Sequence, residues 1–210
     1  MPSTAKICGV STPETVAAAI TGGASHVGFM LLVSSPRNVS IERLAALASQ
    51  TPERLTRVGV FVDPEEELLE HATPHLDAIQ LHKTAPARTA AIRERFNLET
   101  WATVAVKTRS DLDAARNYSG AADRILYDAK TPAGAALPGG MGLRFDWALL
   151  DGFPHTLPWA LAGGLDAENV GEAIRMTGAP LVDVSSGVES APGVKDVDKV
   201  RAFLQAVAAS

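Results

Sequence analysis

One thiol and one strand-end carboxylate are the side chains of this sequence best placed to move protons. Cys8 is the chain's only cysteine and sits in Lys6-Ile7-Cys8-Gly9. Residues two apart on a strand share a face, so Lys6 stands beside Cys8, where an ammonium favours the thiolate and lowers the thiol pKa from about 8.5. A lone cysteine otherwise serves as a small buried hydrophobe. No histidine follows in a protease-like pattern, which points to proton abstraction rather than nucleophilic attack. Asp128 closes the apolar run Arg124 to Asp128, where a carboxylate is costly unless it is paired or used. The structural alternatives for it are a helix cap or a partner for Lys130. A carboxyl that gives a proton facing a thiol that takes one is what an isomerase requires.

Around this pair the sequence supplies groups suited to holding an anion. Gly163-Gly164 and Ser185-Ser186-Gly187 follow apolar runs, and such turns bring backbone N–H groups close to a phosphate. Arg37, in Ser34-Ser35-Pro36-Arg37-Asn38, presents a guanidinium that can fork onto a carboxylate. Gln80 and His82 end one apolar run and Asp183 lies at the end of another, so all three join the candidate substrate-binding set with Lys6. His82 also fits the role of a hydrogen-bonded strand end. His71 and His75 have no metal-ligand spacing to the other histidines, and no metal is expected.

The elements that must position these residues alternate regularly. Short β-branched runs at 5–10, 26–31, 57–62, 78–82, 100–104, 124–128, 157–162 and 181–185 are separated by longer stretches of helical spacing. Thr12-Pro13-Glu14, Ser40-Ile41-Glu42 and Ser110-Asp111 read as helix starts. Strict alternation implies a parallel sheet with right-handed crossovers, and eight repeats favour closure into a (β/α)8 barrel spanning 1–210 as one domain. Reactive side chains of such barrels sit at the C-terminal strand ends, where Cys8 and Asp128 fall. The Pro- and Gly-rich stretch from Thr131 to Gly142 reads as a lid or substrate loop on that same face.

Composition narrows the partners. The 210 residues are 46% hydrophobic and carry a formal charge of −5, which disfavours a nucleic-acid binder. No apolar run approaches the roughly 20 residues that span a bilayer. With one cysteine and no leader before Ala5, a cytoplasmic protein is expected, as monomer or homodimer.

These motifs, in their order, resemble the phosphoribosylanthranilate isomerase family of tryptophan biosynthesis over essentially the whole chain. The resemblance rests on Lys6 to Gly9, Gly28-Phe29 with Ser35 to Arg37, Val58 to Val62, Gln80 to His82, Asp128, and Gly139 to Gly142 with Phe145 to Trp147. It continues through Gly163 to Leu165 with Asn169-Val170, Asp183 to Glu189, Pro192-Gly193 and Lys195-Asp196. It implies a cofactor-free Amadori rearrangement of a small phosphorylated substrate. In that scheme Asp128 protonates the furanose oxygen and Cys8 removes a proton from the adjacent sugar carbon. Arg37 would hold the anthranilate carboxylate, and Gly164 with Ser185 to Gly187 the phosphate. The chain departs from the family pattern at Lys83, at Met141, at Leu143-Arg144 and around Trp101-Ala102, where a lysine is common. Competing readings are the related histidine-pathway isomerase, which carries aspartate at the position of Cys8, a catalytically silent phosphate-binding barrel, and a Schiff-base aldolase acting through Lys6 or Lys130.

Overall fold

The structure, a computed structural model, describes residues 2–132 and 142–210. Most of the stretch read above as a lid, together with Met141, lies outside the described residues. Eight parallel strands close into a barrel in chain order: β1 Thr4–Cys8, β2 His26–Met30, β3 Thr56–Val62, β4 Ala78–His82, β5 Glu99–Val106, β6 Arg124–Ala129, β7 Trp159–Leu161 and β8 Leu181–Val184. The helices α1 Pro13–Gly22, α2 Ile41–Ala48, α3 Glu66–Ala72, α4 Pro86–Phe96, α5 Val170–Thr177 and α6 Val197–Ala208 cover it.

Local chemistry sets the helix starts. Thr12 caps α1 in a reciprocal capping box with Thr15, with Pro13 just inside, and Gly23 ends the helix at φ +81°. Ser40 caps α2 and Asp196 caps α6. The start expected at Ser110-Asp111 comes out differently: a 3-10 helix runs Arg109–Tyr118 and is capped by Thr108. Asp111 turns back to accept the N–H groups of Lys107 and Thr108 at 2.9 and 2.8 Å. With Ser110, Asp113 and Asn117 also in this stretch, polar side chains compete for the backbone and an α-helix is disfavoured. A short 3-10 helix, Trp147–Leu150, likewise stands between β6 and β7. The seventh strand is shorter than its apolar run, because Pro158 contributes no N–H to the ladder.

Strand periodicity divides the core in two. Outward side chains such as Ile7, Val27, Phe29, Phe61 and Ile79 pack beneath the helices, while Val58, Ala78, Trp101, Leu126, Ala160 and Leu181 form a separate cluster inside the barrel. Following the register around the ring gives layers of four side chains from alternate strands. Lys6, Val58, Trp101 and Ala160 form a lower layer, with Gly28, Gln80, Leu126 and Asp183 above it. Cys8, Val60, Thr103 and Ala162 come next, and Met30, His82, Asp128 and Ser185 line the mouth. The lower interior is thus filled by the fully buried Trp101 with Lys6 as a buried charge beside it, and most of the polar side chains gather at the C-terminal end.

Candidate active site

The floor of the mouth is built from β1. Lys6 is fully buried and its Nζ donates to Asp183 Oδ1 at 2.8 Å. A Cβ placed on Gly28 would lie 2.9 Å from Cys8 Sγ and 3.0 Å from Lys6 Nζ, so the missing side chain on β2 makes room for both. Glycine is required there by close approach.

This geometry corrects the expected thiolate. Burial of Cys8, 5% exposed, pushes the thiol pKa up, and the nearby ammoniums of Lys6 and Lys195 only partly oppose it while the Asp183 charge adds to it. Lys6 itself stays charged: burial works against its ammonium, but Asp183 and Cys8 beside it hold its pKa above the ordinary value.

Asp128 stands one layer above Cys8, with β7 and β8 between their strands. Neither structural alternative holds for it. Lys130 bonds Asp111 at 3.1 Å on the surface, and among the described residues Asp128 Oδ1 accepts only the adjoining N–H of Ala129, at 2.8 Å. Burial, with the Asp183 charge second, raises Asp128 to about 7 against the pull of the Ala129 N–H and Lys6. A carboxyl in this state retains a proton near neutrality, as a general acid must. Gly163, at φ +91°, passes so near that a Cβ there would sit 3.1 Å from Asp128 Oδ1 and 2.8 Å from Ala129 N.

On β4, two strands round the ring from Asp128, Gln80 Nε2 lies 3.0 Å from His82 Nε2. Burial, together with the charges of Lys6 and Lys83, lowers His82 to about 4, so the ring is neutral and its nitrogen accepts the amide hydrogen.

A cavity over Asp128 is lined by Gly163, Gly164, Asp183, Ser185 and Ser186. It adjoins a cleft reached by Arg37, Gly164, Ser186, Gly187 and Glu189. The two turns named for phosphate therefore lie side by side. Gly164 adopts φ +62°, and a Cβ on Gly187 would collide with the carbonyl oxygen of Leu165. Asn169 Nδ2 donates to Gly164 O at 2.9 Å and fixes that turn.

Arg37 enters from the loop after β2, where its side chain packs against Gly9. Its Nε and Nη2 fork onto Glu189 Oε1 and Oε2. Lys195 closes the group from behind, donating to Glu189 Oε1 at 2.7 Å and to Ser185 O at 2.9 Å. Sequence reasoning placed Glu189 and Lys195 in motifs without giving them a role. Their only sequence signal was membership of those motifs; the bond of Glu189 to Arg37 spans 152 residues and needed the fold.

Comparison with known proteins points one way. The family model for N-(5'phosphoribosyl)anthranilate (PRA) isomerase matches residues 5–206. A relative named N-(5'-phosphoribosyl)anthranilate isomerase, from Zymomonas mobilis subsp. mobilis, is 52% identical over 205 residues and covers 96% of each chain. The phosphoribosyl anthranilate isomerase structure from Thermotoga maritima superposes with a TM-score of 0.86 at 34% identity, covering 99% of this chain and all of that one. A further isomerase structure, in complex with reduced 1-(o-carboxyphenylamino)-1-deoxyribulose 5-phosphate, superposes at 0.83 with 32% identity over 99% of this chain and 100% of its own.

Proposed function

Since this chain belongs to the N-(5'-phosphoribosyl)anthranilate isomerase family, we propose that Asp128 and Cys8 perform that family's Amadori rearrangement as acid and base. The reaction converts N-(5'-phosphoribosyl)anthranilate to 1-(2-carboxyphenylamino)-1-deoxyribulose 5-phosphate, a step of tryptophan biosynthesis. The observation that carries the assignment is a buried carboxyl, pushed up to about 7 by its surroundings, one layer above the only thiol of the chain.

Asp128 gives its proton to the furanose oxygen, the C1–O bond breaks, and the anilino nitrogen supplies the electron pair that makes the iminium. A Cys8 thiolate, formed by loss of the thiol proton to solvent, removes the proton from C2 and becomes the thiol again. That electron pair forms the C1=C2 bond and returns the iminium pair to nitrogen. The enolamine then moves its hydroxyl proton to C1 and becomes the ketone. Lys6 beneath Cys8 stabilises the thiolate in the reacting state, although burial keeps the thiol protonated at rest.

The adjacent turns at Gly163-Gly164 and Ser185-Ser186-Gly187 hold the phosphate through backbone N–H groups. Arg37, held by Glu189, faces the anthranilate carboxylate. Gln80, His82 and Asp183 border the ribosyl chain, and Lys6 acts from below. All of these side chains belong to one copy of the chain, an arrangement open to a monomer and to a homodimer alike. The whole of 1–210 serves as one barrel domain. A reduced lone thiol suits the cytoplasm, and among the described residues no helix is long and apolar enough to cross a membrane.

The Schiff-base reading loses support on the same geometry. Lys6 is an ammonium bonded to Asp183, and Lys130 is half-exposed on Asp111. Loss of substrate fluorescence on adding purified protein to freshly made N-(5'-phosphoribosyl)anthranilate tests the activity. Absence of turnover would leave a silent phosphate-binding barrel.

A further inference from the structure

Three polar atoms inside the barrel, Thr103 Oγ1, Gln80 Oε1 and the deeper Trp101 Nε1, have no place in the scheme above, and the first two stand nearer the mouth. Thr103 Oγ1 and Gln80 Oε1 are both buried and without a hydrogen-bond partner among the described residues. Gln80 is 1% exposed, and its amide nitrogen is committed to His82, which fixes where its oxygen points. Unpaired buried polar atoms are uncommon and cost stability, so a pair of them on neighbouring strands calls for a cause.

Their position supplies one. Thr103 shares the inward face of β5 with Trp101, and Trp101 is paired with Gln80. Around the ring, Thr103 falls in the layer of Cys8, Val60 and Ala162. In an eight-stranded barrel, β5 lies across from β1, so the Thr103 hydroxyl faces the interior from the wall opposite Cys8. Val60 and Ala162 offer no hydrogen bond, which makes Thr103 the one side chain of that layer able to bond a substrate hydroxyl opposite the thiol.

The two orphan atoms are also complementary. A carbonyl oxygen only accepts, whereas a threonine hydroxyl donates as well. One alcohol satisfies both, giving its proton to Gln80 Oε1 and accepting from Thr103 Oγ1. We propose that Thr103 and Gln80 form a binding place for a ribosyl hydroxyl, which turns the C2–H bond toward Cys8. This rests on the reading that the ribosyl chain lies between Cys8 and Asp128. Thr103 is a substrate-positioning residue in this scheme and takes no part in proton transfer.

Thr103→Val keeps the shape and removes the hydroxyl, and Thr103→Ser keeps the hydroxyl. Both are compared with the unsubstituted enzyme in steady-state turnover, in binding of reduced 1-(2-carboxyphenylamino)-1-deoxyribulose 5-phosphate, and in thermal unfolding without ligand. The valine variant is expected to lose about ten- to a hundredfold in kcat/KM and to bind the reduced compound correspondingly less tightly. Its Tm should be unchanged or higher, since an unpaired buried hydroxyl has been removed. The serine variant should recover most of the loss. Turnover and binding within twofold of the unsubstituted enzyme in Thr103→Val would overturn the proposal. So would a drop in Tm with the activity loss unrecovered in Thr103→Ser, the mark of a packing role. If Cys8→Ala and Asp128→Asn both keep full activity, the acid–base reading fails, and the hydroxyl-binding pair then stands or falls on binding of the reduced compound alone.

Discussion

Arg37 and Glu189 meet in a two-point fork, Nε to Oε1 at 2.7 Å and Nη2 to Oε2 at 2.8 Å, with each side chain only 4% exposed. Lys195 shares the same carboxylate. Burial alone would raise Glu189, yet its bonds to the two cations hold it below the usual carboxylate range. The fork aligns a guanidinium that would otherwise have many rotamers, and it ties the loop after β2 to the segment after β8.

Glu189→Gln is therefore expected to weaken substrate binding more than the chemical step. The neutral amide keeps the shape but leaves two buried cations uncompensated, and breaking a buried pair costs on the order of 3–5 kcal/mol. A KM increase of about tenfold or more, with kcat much less affected and a lowered Tm, is the expected pattern in steady-state kinetics and thermal melts. A kcat loss with unchanged KM would remove Glu189 from carboxylate recognition.

For the proton-transfer pair, Cys8→Ala and Asp128→Asn should each lower kcat by about a hundredfold or more with circular dichroism unchanged. Retention of near-normal kcat in either folded variant would end that residue's role.

Asp128→Asn should also change how stability depends on pH. The folded-state value of about 7 lies above the unfolded one, so the native state holds its proton longer and stability falls as pH rises from about 4 to about 7. The asparagine variant does not ionise. Its Tm advantage over the unsubstituted protein is expected to grow across that window and level off above it. A constant difference between pH 4 and pH 8 would show that Asp128 titrates normally.

Asp183 pushes both Asp128 and Cys8 upward. In folded Asp183→Asn both limbs of the pH–rate profile should accordingly move to lower pH, because removal of the like charge eases both ionisations. Limbs that stay in place or move up would contradict that coupling.

Gly163→Ala offers a steric test of the acid. The new Cβ would press on Ala129 N and Asp128 Oδ1, and φ +91° strains any side chain there. A kcat loss exceeding the change in KM is expected. The reverse would indicate that Gly163 acts only through the phosphate turn.

Much of this molecule is written locally. Alternating apolar runs, the caps at Thr12 and Ser40, and reactive residues at strand ends are short-range features, and they were enough to place Cys8, Asp128, Gly164 and Ser186 at one mouth. Family motifs then named the reaction. Other properties had to wait for tertiary structure, because they depend on what the fold brings near and how far it excludes water. Adjacency of Lys6 along the strand predicted a lowered thiol pKa, whereas burial in the closed barrel raises it. Asp128 gained its retained proton the same way, from desolvation and from Asp183, 55 residues further along the chain. The partners of Arg37 and the inward aim of Thr103 follow from ring closure and strand register, which no local spacing encodes.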